Sequence, residues 1–437
     1  MTYEHVPDVW VGRWKALHDY ITQLGKDSAL AGDPTFPRGA ALQNVIGALI
    51  PFAQSHFDFF SGLFQPGGLN SAINFPNEFV MRQVINRIAD DAQVIQNCID
   101  QRRAWKDPSQ AQAQKVLLQA DNLAWAALRF AVNRGLLPAE TTAITYFQKN
   151  TSIRVIPYAS VALIGIPITC LENPIDFLSI PHEIGHYVYW NSGIFVDGRP
   201  ASIQSKLTNA MKGEPYWLQR WKQEVFADTY GALVAQAAIA CSFQDLEYEG
   251  SKTDLMLDDK KHPAPIVRPD IYNEAVRRHN SDLAASLSDR WGNLIQNRHS
   301  LLRLDTQNNW AYLKVHRDAE STDVLLPGEI RQNYNYLLDE IDKILPPRPT
   351  IGAEPDFPAR GETNLANVYD TFRDKLQPFI DQIPAGSIDT PIKTQLWEDW
   401  VTQFDLDAKQ NLVEKWMNVF LAGGWTTEGP QGRDLID

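Results

Sequence analysis

The residues best suited to chemistry in this chain are His182, Glu183 and His186, which stand in the segment IPHEIGHYVYW as H-E-x-x-H. On a helix, residues four apart project from one face a turn above each other, so two imidazoles so spaced can grip one metal ion. Glu183 then stands beside the open coordination position, where a general base is needed. Zinc suits this ligand set, and a catalytic zinc site needs a third protein ligand from another element. The later segment WLQRWKQEVFADTYGALVAQ offers Glu224 and Asp228, again four apart and set among Val225, Phe226, Ala227, Ala232, Leu233 and Val234. Two carboxylates on so apolar a helix are costly to bury unless positive groups meet them. A metal ion and a histidine N–H would meet that need. Glu224 is therefore assigned as the third ligand and Asp228 as the acceptor that holds the far nitrogen of a ligating histidine and fixes its tautomer.

The elements that must carry these residues follow from hydrophobic period and breaks. Apolar residues recur at helical spacing over Val11 to Leu24, Ala40 to Phe64, Asn77 to Trp105 and Gln110 to Asn133, which predicts a helical N-terminal domain over 1–140. Three short β-branched and aromatic runs follow, Ala143 to Phe147, Ile153 to Tyr158 and Val161 to Ile168, which read as strands. The motif helix is expected from Ile175 to Trp190, a Gly-bearing stretch over Asn191 to Gly213, and one long helix from Tyr216 to Cys241. These make a core over 141–272. A helical C-terminal domain over 273–437 is expected to contain Tyr272 to Leu302, Gly328 to Ile344, Asn367 to Ile383 and Lys393 to Leu421. Its Pro-rich connection, 345–363, is too broken for a helix. The fold class is mainly α with a small β-sheet.

H-E-x-x-H followed by E-x-x-x-D on a second helix resembles the gluzincin zinc metallopeptidases, the thermolysin-like class. The resemblance covers Ala143 to Ser242 and extends to HPAPIVR, His262 to Arg268, which is similar to an H-P-x-P-x-x-R segment of some relatives. It implies a zincin-like catalytic core flanked by helical regions, with a strand before the motif helix serving as an edge for an extended substrate peptide. It implies a Zn2+ cofactor held by His182, His186 and Glu224, with Glu183 moving the water's proton to the leaving amine. An oxyanion donor is also needed. His262 is the first candidate, with Tyr230 and Tyr272 as alternatives. Two departures stand out: no Asn precedes Glu224, and D-T-Y-G is one residue short of the D-x-x-Y-G of zincins that use an aspartate ligand, a role that would fall to Asp228.

The rest of the sequence limits the alternatives. No His follows within six residues of His186, which excludes the metzincin pattern. Neither a G-x-S-x-G, a P-loop nor a dinucleotide fingerprint is present. Lys+Arg 40 against Asp+Glu 53 gives a net charge of −13, the wrong sign for binding nucleic acid or anionic lipid. The start MTYEHVPDVW has no basic, apolar leader, no run is long enough to span a membrane, and Cys98, Cys170 and Cys241 have no pairing spacing. The expectation is a cytoplasmic zinc-dependent peptidase acting on a peptide or protein. Its rivals are a zinc-dependent hydrolase of another amide and a helical interaction protein with an inactive zincin module.

Overall fold

The computed structural model describes residues 3–388 except 28–35, 70–74, 104–106, 108–109, 197–198, 249–254, 279–280, 303–312, 319, 326, 346–354 and 385. The chain is mainly helical, with a small three-stranded mixed sheet and two hairpins among the described residues. The described residues divide into two compact units, one drawn from 1–121, 138–168 and 385–437, the other from 122–137 and 169–384. The expected helix over Lys393 to Leu421 lies outside the described residues.

In the first unit, α1 (Asp8–Gly25), α2 (Gly39–Ser61), α3 (Asn77–Arg103) and the first half of α4 (Ala111–Val132) follow the predicted periods closely. Their apolar faces form a core in which Trp14 stacks on Phe57 with ring centroids 4.9 Å apart. The sheet contains β1 (Thr142–Gln148), β2 (Ser152–Val155) and β3 (Val161–Pro167), in the order β1-β3-β2. β3 runs parallel to β1 and antiparallel to β2, so both its edges are hydrogen-bonded. The edge that the gluzincin resemblance implies for the strand before the motif helix is therefore absent. The reason is visible in VALIGI, an unbroken apolar run that is fully buried, as a central strand must be. Asp121 on α4 fastens this sheet, accepting from the Thr145 backbone N–H at 2.8 Å and from Arg102 at 2.9 Å.

The second unit carries the motif. A 3-10 turn, Pro174–Ser179, leads into α5 (Ile180–Asn191), so the expected helix from Ile175 begins as the tighter form. The Gly-bearing stretch is more ordered than expected, holding β4 (Ile194–Val196), β5 (Arg199–Ala201) and α6 (Ile203–Ala210), whose N-cap Ser202 accepts from Ser205 N–H at 3.0 Å. The long helix expected over Tyr216 to Cys241 is two, α7 (Tyr216–Ala235) and α8 (Ala237–Tyr248). Gln236 stands between them at φ 49° and ψ −127°, which no helix accommodates. Likewise Tyr272 to Leu302 divides into α9 (Arg268–Arg277) and α10 (Ser281–Leu302). The hairpin of β6 (Leu313–His316) and β7 (Thr322–Leu325), α11 (Pro327–Ile344) and α12 (Val368–Gln382) complete it.

Candidate metal centre

α5 and α7 meet through their smallest residues. A Cβ built on Gly185, inside the motif itself, would lie 2.7 Å from Ala227 Cα, and one on Gly231 would lie 3.5 Å from the His182 backbone nitrogen. With no side chain at these points the two helices approach closely, and Glu224 comes opposite His182 and His186. The His182 and His186 Nε2 atoms are 3.1 Å apart. Glu224 Oε2 is 3.5 Å from His182 Nε2, and Glu224 Oε1 is 3.5 Å from His186 Nε2. All three residues are buried, and among the described residues theirs is the one group whose donor atoms all lie within 4.8 Å of one another.

These spacings fit a metal ion. Zinc bonded tetrahedrally at about 2.1 Å requires ligand atoms about 3.4 Å apart. The ring orientation also fits: His182 Nδ1 lies 2.9 Å from Asp228 Oδ1, so its N–H goes to that carboxylate and Nε2 is the nitrogen a metal ion would take in place of a proton. The Gln223 side-chain nitrogen Nε2 lies 3.1 Å from His186 Nδ1; with the amide turned over, its oxygen would accept that nitrogen's proton. Glu183 is buried on α5 next to His182.

The electrostatics show a place built for positive charge. Burial alone would push the Glu224 carboxyl up, yet the imidazoles of His186, His182 and His262 and the Arg268 guanidinium hold it well below the usual carboxylate range. Burial likewise opposes ionisation of Asp228, but Arg268 and His182 lower it. His186 is pushed down to about 3 by burial, despite the attraction of Glu224. His182, although burial works against it, is raised to about 10 by its hydrogen bonds to Asp228 and Glu224. The two ionised carboxylates thus face the Arg268 guanidinium and the histidines, a setting that could also receive a divalent metal.

The residues expected to serve the oxyanion fall in three different places. His262 faces the cluster, with Nε2 3.5 Å from Glu224 Oε1 and Nδ1 2.7 Å from Asp259 Oδ2. Burial works against its charge, but Asp259 and Glu224 raise its pKa. Its loop is pinned by Asp258, which accepts from Trp221 Nε1 at 3.1 Å and also holds His316. Tyr272 has its hydroxyl 3.4 Å from His182 Nδ1, the nitrogen that also faces Asp228. Tyr230 is not brought to the cluster. At about 100° per residue it lies about 200° around α7 from Asp228, and its hydroxyl donates to the Ala127 carbonyl at 2.7 Å.

Three contributors had no role in the sequence reading. Arg268, quoted there only as the end of HPAPIVR, donates from Nε and Nη2 to Asp228 at 3.0 Å each and from Nη2 to Glu224 Oε2 at 3.1 Å. The signal that could have found it is the demand of Glu224 and Asp228 for a positive partner. Asp259, three residues before His262, was recognisable as an acidic neighbour of a loop histidine. Gly185 carried no signal, since a glycine within H-E-x-x-H is legible only once the facing Ala227 is known. No protein-family model matches the chain, no curated protein matches its sequence, and no solved structure matches it.

Proposed function

We propose that the chain is a zinc-dependent peptidase of the gluzincin type, hydrolysing peptide bonds of a peptide or protein substrate. The observation that carries this reading is the meeting of His182 Nε2 and His186 Nε2, 3.1 Å apart, with the Glu224 carboxylate, whose Oε2 is 3.5 Å from the first and Oε1 3.5 Å from the second, and with Glu183 adjoining in the same helical turn. Bound zinc supplies acidification of a water molecule towards neutral pH and polarisation of the scissile carbonyl.

Everything else is done by the chain. Glu183 accepts the water's proton on its carboxylate and delivers it to the leaving amine nitrogen. Asp228 keeps the His182 proton on Nδ1, so that Nε2 stays available as a ligand atom. His262, with Nδ1–H given to Asp259, turns Nε2 to the cluster, where a second proton makes it a donor to charge developing on the substrate oxygen. The negative net charge argues for a protein that keeps away from nucleic acid and anionic membranes. No described helix is long and apolar enough to cross a membrane. Three buried free thiols favour the cytoplasm as its compartment.

Metal analysis combined with digestion of a mixed peptide library tests the reading. One zinc per chain and chelator-sensitive cleavage is the expected result. Stoichiometric zinc without any peptide cleavage would move the chain to hydrolysis of another amide, and a chain that takes up no zinc would be an interaction protein.

A further inference from the structure

We propose that Arg268 is a positioning residue of the metal centre, which fixes the tautomer of His182 through Asp228 and turns one chosen oxygen of Glu224 to the ligand cluster. The proposal rests on the metal reading above. Arg268 is the first residue of α9 and is buried, so its guanidinium is placed by the fold rather than by solvent. Its Nε donates to Asp228 Oδ2 and its Nη2 to Asp228 Oδ1, both at 3.0 Å, a two-point grip that sets the plane of the carboxylate. The same Oδ1 faces His182 Nδ1 at 2.9 Å. A carboxylate free to rotate would offer this proton a varying partner. One clamped at both oxygens keeps a single acceptor in line with Nδ1.

The effect on Glu224 is direct. Nη2 bonds Oε2, the oxygen 3.5 Å from His182 Nε2, at 3.1 Å, and so turns Oε1, the oxygen not bonded to the guanidinium, to His186 Nε2 and His262 Nε2, each at 3.5 Å. Nη2 also comes within 3.3 Å of His182 Nε2. The ring nitrogen has one in-plane lone pair, so a metal ion at the cluster would take it in place of this contact, with Nη2 remaining on the two carboxylates. The guanidinium itself is seated on the Phe243 ring, 4.8 Å from its centroid, and Phe243 stacks on Tyr272 at 4.5 Å. What matters is therefore the planar fork and not the charge alone. A lysine ammonium, a point charge on a flexible stem, cannot bond Asp228 twice and reach Glu224 as well.

The test compares the wild-type chain with Arg268→Lys, Asp228→Asn, which breaks the same grip from the other side, and Arg154→Lys. Arg154 serves as the control because it is a buried arginine on β2 of the first unit whose Nε donates to Asp91 at 2.5 Å. Zinc affinity is read by chelator competition, stability by urea unfolding, and the His182 tautomer by ring 15N shifts. Arg268→Lys and Asp228→Asn should each weaken zinc binding about 10- to 100-fold, and His182 should lose its single-tautomer pattern. Arg154→Lys should lose stability with unchanged zinc affinity. Arg268→Lys introduced into Asp228→Asn should weaken binding less than it does alone, because one of its two routes runs through Asp228 and only the direct bond to Glu224 remains to be lost. The proposal is overturned if Arg268→Lys binds zinc within twofold of wild type and keeps the His182 pattern. It is equally overturned if Arg154→Lys weakens zinc binding as much, since lost stability would then be the cause. Failure of the wild-type chain to bind zinc would instead remove the metal reading, and this proposal with it.

Discussion

Gly185→Ala is a one-methyl test of whether the approach of α5 to α7 builds the metal centre. The added Cβ would lie 2.7 Å from Ala227 Cα, 3.0 Å from Ala227 O and 3.2 Å from Ala227 Cβ, whereas ordinary contact begins at 3.4 Å. The obstacle is backbone, so it cannot rotate away, and α7 must retreat by about 0.7 Å, the difference between ordinary and enforced contact. Glu224 lies one turn before Ala227 on the same helix and moves with it. Metal sites tolerate deviations of about 0.2 Å in ligand distance, so this displacement should cost at least tenfold in zinc affinity. Stability has two opposed contributions. Alanine in place of a helical glycine gains up to about 1 kcal/mol, and overpacking costs about 1–3 kcal/mol, which leaves a net loss of about 1 kcal/mol. Gly292→Ala on α10 isolates the first contribution, because a Cβ there meets nothing within 4 Å. That variant should be more stable than wild type by up to about 1 kcal/mol and bind zinc normally. Urea unfolding and chelator competition on both variants decide the matter. If Gly185→Ala gained stability as Gly292→Ala does, or bound zinc like wild type, the close approach would not be what sets the ligand geometry.

Glu183→Gln should keep zinc and lose hydrolysis, raising the barrier by several kcal/mol as estimated for a lost general base with its water-activating charge; zinc loss or retained turnover would show that Glu183 has another role. Glu224→Ala should abolish tight zinc binding, and Asp228→Ala should weaken it about 10- to 100-fold; a reversed order measured by chelator competition would make Asp228 the ligand. His262→Ala should lower kcat about 100-fold, roughly 3 kcal/mol, with zinc content unchanged. Asp259→Asn should show a smaller loss that disappears in the His262→Ala background, and additive losses would separate the two residues. His56 in the first unit is held down to about 3 by burial and by Arg87, against the pull of Asp91. Its folded pKa is below the unfolded value of about 6.5, so the stability it contributes is present above that value and is lost as pH falls through the folded one. The urea midpoint of His56→Leu should accordingly fall less than that of wild type between pH 7 and pH 4, and parallel curves would refute this.

Period carried the helices of the first unit well, because each shows an apolar face at three- and four-residue spacing against one core. It failed where apolar character was continuous. The run from Ala232 to Cys241 contains no glycine or proline after Gly231, so nothing local marks the break at Gln236. The break nevertheless matters for the site, since α8 places Phe243 beside His182, with ring centroids 5.5 Å apart, and beneath the Arg268 guanidinium. The position of β3 was likewise hidden, because a central strand and a half-covered strand preceding a helix both read as short apolar runs.

The candidate site was readable to the extent that one helix face determines it. His182 with His186, and Glu224 with Asp228, are each pairs four residues apart, and the structure sets the two faces against each other. What spacing within a helix cannot provide is the partner from a third element. The cost of burying two carboxylates called for a cation and a histidine N–H, and the structure answers with His182 Nδ1 on Asp228 and with Arg268 across both acids. A charge requirement can thus be deduced from sequence while the residue that meets it stays unidentified, because forty residues separate Asp228 from Arg268 and no period connects them. The same reasoning separates His262 from Tyr230. Both were chosen for chemical type, but only the loop residue had its direction set by a neighbour in sequence, Asp259, while the direction of Tyr230 was already dictated by the helix that carries Asp228.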